Sequence, residues 1–269
     1  MRRICFLMLM VCIGCTVDKP SPEEVVMVDF RASVTKSAVR DDSQINTVDL
    51  FLYREQTGAL ESHQRVESAS LSVAVPKGIA LSWVLICNAP EGCSPEQESR
   101  LEDNSSNSLV MLDHGTDTFS HSSQKSIKVS RVMSKVVLEK ITPSEGFLRA
   151  YLSDVAATCP YLPEAAYSGS RCNVGGVDMS LNPFLQQCLV CHECRNAEFF
   201  CYPDPEGRTT LVVEIEAPYG VDSYRVPLPP LESNTTYIIK ELVMESRGQV
   251  HFSVSVNPWE EVDSSCNLQ

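Results

Sequence analysis

Short runs in which apolar and polar residues alternate recur along the chain from residue 25 onward. In the run 69–75, Leu71, Val73 and Val75 fall on one face of an extended segment, as in a half-buried β-strand. The run 79–87 is almost entirely apolar, which is typical of a strand buried on both faces. The predicted strands are 25–34, 45–53, 69–75, 79–87, 127–132, 136–141, 147–155, 210–217, 223–226, 236–244 and 250–256.

Helical periodicity is scarce, and residues 95–101 are the best candidate for a short helix. Many short strands separated by turn residues favour an all-β protein over an α/β protein. Pro143 and Gly146 lie between two strand runs, so we place a domain boundary there. The pattern predicts two tandem antiparallel β-sandwich domains, transthyretin-like with Greek-key connections, over residues 25–142 and 143–269.

The first residues have the order of a bacterial secretory signal. A positively charged start precedes an apolar run over 4–13, and Gly14-Cys15 follows at once. A small residue directly before a cysteine resembles a lipobox, in which the signal is cleaved and the cysteine is lipidated. We therefore predict a lipoprotein signal peptide over 1–14, lipidation at Cys15 and a polar tether over 15–24. An ordinary signal peptide is the alternative.

The charge balance and the cysteine count restrict the compartment and the partners. The 269 residues hold 22 Lys+Arg and 35 Asp+Glu, a formal net charge of −13. Such an acidic chain is a poor ligand for nucleic acid, so we expect no nucleic-acid partner. Twelve cysteines are many for a cytosolic protein and favour an oxidising compartment, in agreement with export.

Cysteine is concentrated in one segment of the second predicted domain. Six cysteines lie from Cys159 to Cys201, in a stretch rich in Pro and Gly, so we predict a cysteine-rich insertion over about 158–207. Disulfides would stabilise a segment so poor in strand patterning, typically by about 2–4 kcal/mol each, and sequence does not fix their connectivity. The disulfide candidates are Cys87, Cys93, Cys159, Cys172, Cys188, Cys191, Cys194 and Cys201.

Metal chemistries compete with disulfides inside this insertion. Cys188-x-x-Cys191-His192 matches the attachment signature of c-type haem, although no helical cytochrome pattern accompanies it. The same residues with Cys194 and Cys201 offer thiolate and imidazole ligands for zinc, but their second pair is irregularly spaced. An iron–sulfur cluster is disfavoured in a chain exported unfolded. We expect no bound metal and no cofactor.

Four local patterns follow one another along the chain. Residues 84–89 form an apolar strand that ends in Asn-Ala, and 131–138 have the form Arg-x-x-small-Lys-Val. Residues 234–244 open a strand with Asn and Tyr, and 252–259 close a terminal strand on Trp. Behind a lipobox, this order resembles the fimbrillin family of Bacteroidales fimbrial subunits, the type V pilins. The compact mature chain and its cysteine-rich insertion favour a minor, anchor or accessory subunit over the main shaft pilin.

The resemblance implies a surface-exposed lipoprotein of the outer membrane that assembles into a fimbrium. Its partners would be other fimbrial subunits, joined by exchange of a β-strand, and a host or bacterial surface ligand. In the family, a protease cuts shaft subunits after an arginine and removes the first strand. Here 25–34 is the candidate strand and Arg40 the candidate processing site. Alternatively Arg40 is an ordinary loop residue, the strand is retained, and the subunit anchors or ends the fibre. Whether 250–256 is an in-place or a donated strand stays open.

Two other classes of function compete. A glycan-binding outer-membrane lipoprotein would present exposed aromatic residues, but Trp83 lies in an apolar run and Trp259 ends a strand. An enzyme or redox protein would need a catalytic constellation. The chain contains none of the common catalytic motifs, so we expect no enzymatic activity. Four histidines lie in separate runs without the spacing of a metal or nucleophile site: His63, His114, His121 and His251.

Overall fold

The computed structural model describes residues 23–34, 44–104, 108–142, 147–162, 171–172, 197–245 and 249–258. Within these ranges the regular elements are β-strands and one 3₁₀ turn, Leu101–Asp103, which confirms the all-β prediction. No helix in this part of the chain has the length and apolar character needed to cross a membrane.

The helix predicted at 95–101 is wrong. Residues Glu98–Arg100 form a short strand that pairs antiparallel with Thr158–Pro160, far along the chain. The amide of Leu101 continues this link by donating to the carbonyl of Ala157 at 3.1 Å. Pairing with a distant strand therefore overrides the weak local preference for a helix.

The first half of the described chain forms one large curled sheet. Its strands and the short strand β6 are β1 (Val25–Val34), β2 (Val48–Arg54), β3 (Leu60–Val66), β4 (Ser70–Pro76), β5 (Ala80–Cys87), β6 (Glu98–Arg100), β7 (Met111–Thr118) and β8 (Ser123–Arg131). All except β6 pair in the order β3-β2-β5-β7-β8-β1-β4. The two edge strands, β3 and β4, are consecutive in sequence, so the sheet curls until its edges are joined by residues 67–69. Its inner face encloses the first apolar core.

Most strands of the second half form two further sheets. The elements are β9 (Ser134–Leu138), β10 (Ile141–Thr142), β11 (Phe147–Ser153), β12 (Val155–Ala156), β13 (Thr158–Pro160), β14 (Arg171–Cys172), β15 (Ala197–Cys201), β16 (Thr210–Ala217), β17 (Gly220–Pro227), β18 (Thr235–Glu245) and β19 (Gln249–Pro258). One sheet has the order β10-β18-β9-β15, with β19 also paired to β18, and the other has the order β11-β16-β17. Their apolar residues enclose a second core.

A third core joins the two halves across the outer face of the first sheet. Phe51, Val84 and Ile86 from that face pack in one cluster with Phe200 and Tyr202 from the second half. The buried Tyr202 hydroxyl also lies 2.7 Å from Ser99 Oγ and accepts a hydrogen bond from Asn104 Nδ2 at 2.9 Å. Strand β5 therefore has apolar neighbours on both faces, as its sequence predicted.

The change from the first sheet to the second occurs between Arg131 and Ser134. Strand β8 ends at Arg131, and β9, which starts at Ser134, already pairs with β15 and β18. We therefore propose this point as the division between the two domains, ahead of the predicted boundary after Thr142. The cysteine-rich insertion falls largely outside the described residues.

Not every pair of strands is antiparallel. In the described part of the chain, β1 runs parallel to β8, and β18 runs parallel to both β9 and β10. A parallel pair needs a long crossover connection, and here β2 to β7 separate β1 from β8 in sequence. The strand pattern predicted many of the extended segments, but not these non-local pairings.

Candidate assembly interface

Strand β1 fills an interior position of the first sheet although it is the first strand in the described part of the chain. It pairs antiparallel with β4, with Val28 opposite Val73, and parallel with β8, with Val34 opposite Val129. Neither neighbour is adjacent to β1 in sequence. The position between β4 and β8 is called the β1 slot. Within the described residues, the strand that holds it is followed along the chain by β2 and preceded by no other strand.

Alternate side chains of β1 fill the first core. Val26, Val28, Phe30 and Ala32 are buried, and Val28 and Phe30 are completely inaccessible to solvent. The ring of Phe30 meets the ring of Phe119 edge to face, with centroids 6.0 Å apart. Fully burying side chains of this size stabilises a fold by about 1.5–3 kcal/mol each, so an empty β1 slot would expose a large apolar groove.

The other face of β1 is open to solvent. Val25 and Met27 are 58% and 48% exposed, and Asp29 accepts a hydrogen bond from Ser72 Oγ on β4. The strand thus combines a row of buried anchors with two rows of backbone hydrogen bonds. These are the two components of recognition by strand addition, in which the backbone supplies affinity and the buried side chains supply register.

Two ion pairs hold the start of β1. Glu23 Oε2 lies 2.6 Å from Arg54 Nη2 at the end of β2, a strand that is not a hydrogen-bonded neighbour of β1. Arg54 also pairs with Glu61 on β3. Glu24 Oε1 lies 2.8 Å from Lys77 Nζ, and its carbonyl accepts from the Lys77 amide at 2.8 Å. We call Glu23, Glu24, Arg54 and Lys77 the N-terminal clamp.

The last described strand is an edge strand with an incompletely covered inner side. β19 pairs with β18, where Phe252 lies opposite Leu242 and Val256 opposite Tyr237. Those partners are buried, yet Phe252 and Val256 are 36% and 54% exposed. β19 is therefore in place within its own sheet, while part of its apolar row remains accessible.

Two of the segments that resemble the fimbrillin family, 84–89 and 234–244, make hydrogen bonds that connect separate parts of the fold. Asn88, which ends β5 with a φ of 59°, donates from Nδ2 to the carbonyls of Gln44 and Leu109 and accepts at Oδ1 from the amide of Asn46. Its side chain thus ties three segments together, and Asn tolerates the left-handed backbone better than most residues. Near β18, the Tyr237 hydroxyl donates to the carbonyl of Pro230 at 3.0 Å.

Several predicted site residues lie outside the described residues. These are the lipidation candidate Cys15, the processing candidate Arg40 and the insertion cysteines Cys188, Cys191 and Cys194. His192, Trp259 and Cys266 also lie outside them. The lipid site, the cleavage site and the pairing of those cysteines therefore stay predictions.

The described cysteines behave as core residues. Cys87, Cys93, Cys172 and Cys201 are free thiols, and Cys159 is buried, with its Sγ 3.6 Å from the carbonyl of Pro160. Burial, with a contribution from Asp49, raises the pKa of both Cys87 and Cys93 to about 12. Because a protonated thiol is a poor nucleophile, these side chains are poorly suited to chemistry in the folded protein.

Neither metal nor aromatic-platform chemistry is assembled in the described residues. They contain no group of three or more His, Cys, Asp or Glu side chains placed to hold a metal ion. Trp83 is buried, and its Nε1 donates to Asp117 Oδ2 at 2.7 Å. The Nζ of Lys125 lies 2.7 Å from the same carboxylate and 4.9 Å from the centroid of the Trp83 ring. Trp83 therefore stabilises the first core and is not available as a flat surface for a sugar.

Comparison with solved structures identifies proteins of the same architecture. A candidate cell adhesion protein from Bacteroides eggerthii superposes with a TM-score of 0.61 at 12% identity, covering 91% of this chain and 100% of that chain. A tip fimbrial protein of Porphyromonas gingivalis gives a TM-score of 0.60 at 10% identity, covering 88% of this chain and 100% of its own. The chain has the fold of Bacteroidales fimbrial and cell adhesion proteins. The predicted resemblance to the fimbrillins is thereby confirmed at the level of the fold.

A third structure extends the range of functions found on this fold. A candidate polysaccharide-binding protein from Bacteroides thetaiotaomicron gives a TM-score of 0.54 at 9% identity, covering 87% of this chain and 96% of that chain. No family profile and no curated protein sequence matches the chain. The fimbrillin-like fold is therefore detected through structure, at sequence identities of 12%, 10% and 9% for the three proteins named above.

Proposed function

We propose that this chain is a surface fimbrial subunit, anchored in the outer membrane through lipid on Cys15, that joins its neighbours by β-strand addition and serves adhesion. The observation that carries the proposal is the β1 slot. The first described strand fills an interior position with four buried side chains, and a shaft neighbour of the same fold that has lost this strand would offer the empty position to a strand of this chain. The shared fold with fimbrial proteins supports the same function.

The N-terminal clamp favours retention of β1. Glu23 and Glu24 are the last two residues of the predicted tether, and both pair with cations of the sheet. Under this proposal, Arg40 is not cleaved in the assembled subunit, β1 stays in its slot, and the lipid remains covalently joined to the fold. The subunit then anchors or ends the fibre, and β19, with its accessible Phe252 and Val256, is the candidate strand for a neighbour's slot.

Strand exchange at the β1 slot is tested with the full chain. A recognition sequence for a specific protease is inserted after Arg40, the folded protein is cut, and a fluorescent peptide of residues 23–34 is added. We expect the peptide to replace β1 and to raise fluorescence anisotropy. A peptide carrying Phe30→Asp should not bind, because it places a charge in the first core. The matched Arg31→Asp peptide, altered on the exposed face, should bind like the native one.

Equal binding of the Phe30→Asp and Arg31→Asp peptides would show that the β1 slot does not recognise the buried side chains of β1. Failure of the native peptide to enter the cut protein, after mild denaturation and refolding as well, would contradict strand addition at this site.

The adhesive partner is proposed to be a surface glycan. The similarity to a polysaccharide-binding protein of the same fold supports this choice over a protein ligand. Neighbours on this fold are adhesion and fimbrial proteins, in agreement with a non-enzymatic role.

A further inference from the structure

A crevice of about 360 Å³ opens on the outer face of the first sheet, beside the third core. Its floor is formed by the ends of β2, β5 and β7, and one wall is formed by Pro95 and Glu96, with Leu162 also lining the cavity. At the centre of the floor, Trp83 pairs with Gly115, and both residues line the cavity. We call this cavity the sheet-face crevice. Its volume is at the lower end of the range for small-molecule sites.

Hydrogen-bonding groups converge on the floor of the crevice. Ser82 and Thr116, opposite each other on β5 and β7, have hydroxyl oxygens 3.4 Å apart. Both hydroxyls donate to one carboxylate oxygen of Glu55 at the end of β2. His114, which is exposed, also lines the cavity. This side of the crevice thus presents two hydroxyls and an imidazole to a bound molecule, and the Glu55 carboxylate behind them holds the hydroxyls in place.

The opposite side presents an aromatic ring and a carboxylate. The Tyr53 hydroxyl donates to Glu96 Oε1 at 3.2 Å, which fixes the phenol against the wall. A hydrogen bond from Ser94 lowers the pKa of Glu96, so its carboxylate is ionised at neutral pH. Val84, Pro95 and Leu162 supply the apolar lining. The crevice therefore combines apolar and aromatic surface with strong hydrogen-bond acceptors.

This combination selects a class of ligand. A pyranose ring has an apolar face of C–H groups, which fits the aromatic and apolar lining, and a rim of hydroxyl donors, which fits the Glu96 carboxylate. Glu96 is acidic, Glu55 lies directly behind the hydroxyls of the floor, and among the described residues no Lys or Arg lines the cavity. An anionic sugar would meet like charges there, whereas a neutral sugar would not.

We propose that the sheet-face crevice binds a single neutral sugar residue of a glycan, with Tyr53, Glu96 and Thr116 as its contacts and Glu55 holding the Thr116 hydroxyl in position. The site deepens the adhesive role stated above and rests on that proposed function. It lies on the outer face of the sheet, whereas the buried side chains of β1 project from the inner face, so ligand binding and strand exchange do not compete for the same side chains.

The binding test uses the full chain and saturation-transfer NMR. Galactose, glucose, mannose, fucose and N-acetylglucosamine serve as neutral probes, and N-acetylneuraminic acid serves as the anionic probe. We expect saturation transfer to at least one neutral sugar and none to the anionic one. Loss of a charged hydrogen-bond partner weakens binding by about tenfold or more, so Glu96→Gln should reduce the affinity for that sugar accordingly.

Two further variants separate binding from folding. Thr116→Val, which keeps the shape of an exposed side chain, should also weaken binding, whereas Glu102→Gln, an exposed acid outside the crevice, should leave affinity within twofold of wild type. Unchanged thermal melting would show that each variant is folded. No transfer to any neutral probe, equal transfer to the anionic probe, or full affinity in both crevice variants would overturn the assignment.

Recovery of the chain in sheared fibres is measured in parallel. A Glu96→Gln chain that still enters fibres but no longer binds sugar supports the site. A wild-type chain that enters fibres and binds none of the neutral probes overturns the crevice site alone. A chain absent from the fibres contradicts the fimbrial proposal instead.

Discussion

Glu23, the first described residue, lies 2.6 Å from the guanidinium of Arg54. Arg54 is the last residue of β2, and β2 forms no backbone hydrogen bonds with β1. This ion pair connects the segment before β1, which would lead to the membrane, with β2, which lies near the opposite end of the strand order of the curled sheet. Force applied through the tether would thus act on the sheet through two ion pairs as well as through β1 itself.

The first prediction concerns this clamp. Replacing Arg54 with Gln should speed hydrogen exchange at the amides of Val26 and Val28, because the start of β1 loses a contact outside its ladder. Hydrogen-exchange mass spectrometry of residues 23–34 measures the effect. Arg100→Gln, which removes an exposed pair with Glu102 elsewhere, is the matched control and should leave exchange in β1 unchanged. Equal exchange in the two variants would mean that the clamp does not hold the strand.

The clamp should also depend on pH. Arg54 lowers the pKa of Glu23 below the ordinary value near 4.5. A carboxyl whose pKa is lowered by folding stabilises the fold above its unfolded pKa, and this contribution is lost as pH falls through the folded pKa. We therefore compare the hydrogen-exchange rates of the amides at the start of β1 with those of the amides of β5. This ratio should be higher below about pH 4 than at pH 7. In Glu23→Gln this pH-dependent difference should be smaller; an undiminished difference would assign it to other carboxyls.

The buried row of β1 should dominate the stability of the first sheet. Phe30→Ala removes a fully buried ring that meets Phe119 and should lower the free energy of unfolding by about 3–5 kcal/mol. Arg31→Ala, at the next, exposed position, should change it by less than about 0.5 kcal/mol. Urea denaturation of both variants measures the difference. Similar losses at the two positions would contradict the described register.

Alternation in the sequence predicted β1 and β4, and a continuous apolar run predicted β5, because burial on one face or on both faces selects apolar residues at those positions. It failed for β7, in which Asp113, His114 and Asp117 interrupt the pattern, since that strand is held by pairing with β5 and not by an apolar face of its own. It also failed for β3, an edge strand with few apolar residues. Edge position and tertiary pairing leave little local signal.

The candidate sites could be predicted only in part. The first strand was found from its pattern, but its insertion between β4 and β8 depends on pairings distant in sequence. The sheet-face crevice was missed because Tyr53, Glu96 and Thr116 come from three separate segments with no shared motif. The burial of Trp83 was predicted correctly from the apolar residues around it in the sequence.

Gly115 has a packing role that can be tested directly. A Cβ at this position would lie 2.8 Å from Cζ2 of Trp83, whose indole is fixed by its hydrogen bond to Asp117. Gly115→Ala should therefore lower the free energy of unfolding by about 1–3 kcal/mol through overpacking. Thr118→Ala, at an exposed position of the same strand, is the control and should have a much smaller effect. A neutral Gly115→Ala would mean that the Trp83 ring has room to move.

The described thiols should resist alkylation in the folded protein. Burial raises the pKa of Cys201 to about 12, so little thiolate is present at pH 8. With iodoacetamide at that pH, we expect mass spectrometry to find Cys201 unlabelled until denaturant is added, and the half-buried Cys172 to react sooner. Rapid labelling of Cys201 in the native protein would contradict its buried position.

The central claim is that this chain is a lipid-anchored fimbrial subunit that keeps its first strand. Mass spectrometry of fibres sheared from the cell surface, with the N-terminus of the chain identified, tests it most directly. The account predicts that the chain is recovered with the fibres and begins at a lipid-modified Cys15, with residues 25–34 present. A chain that begins at Asp41 would contradict the retained strand, and a chain found only outside the fibres would contradict the proposed function.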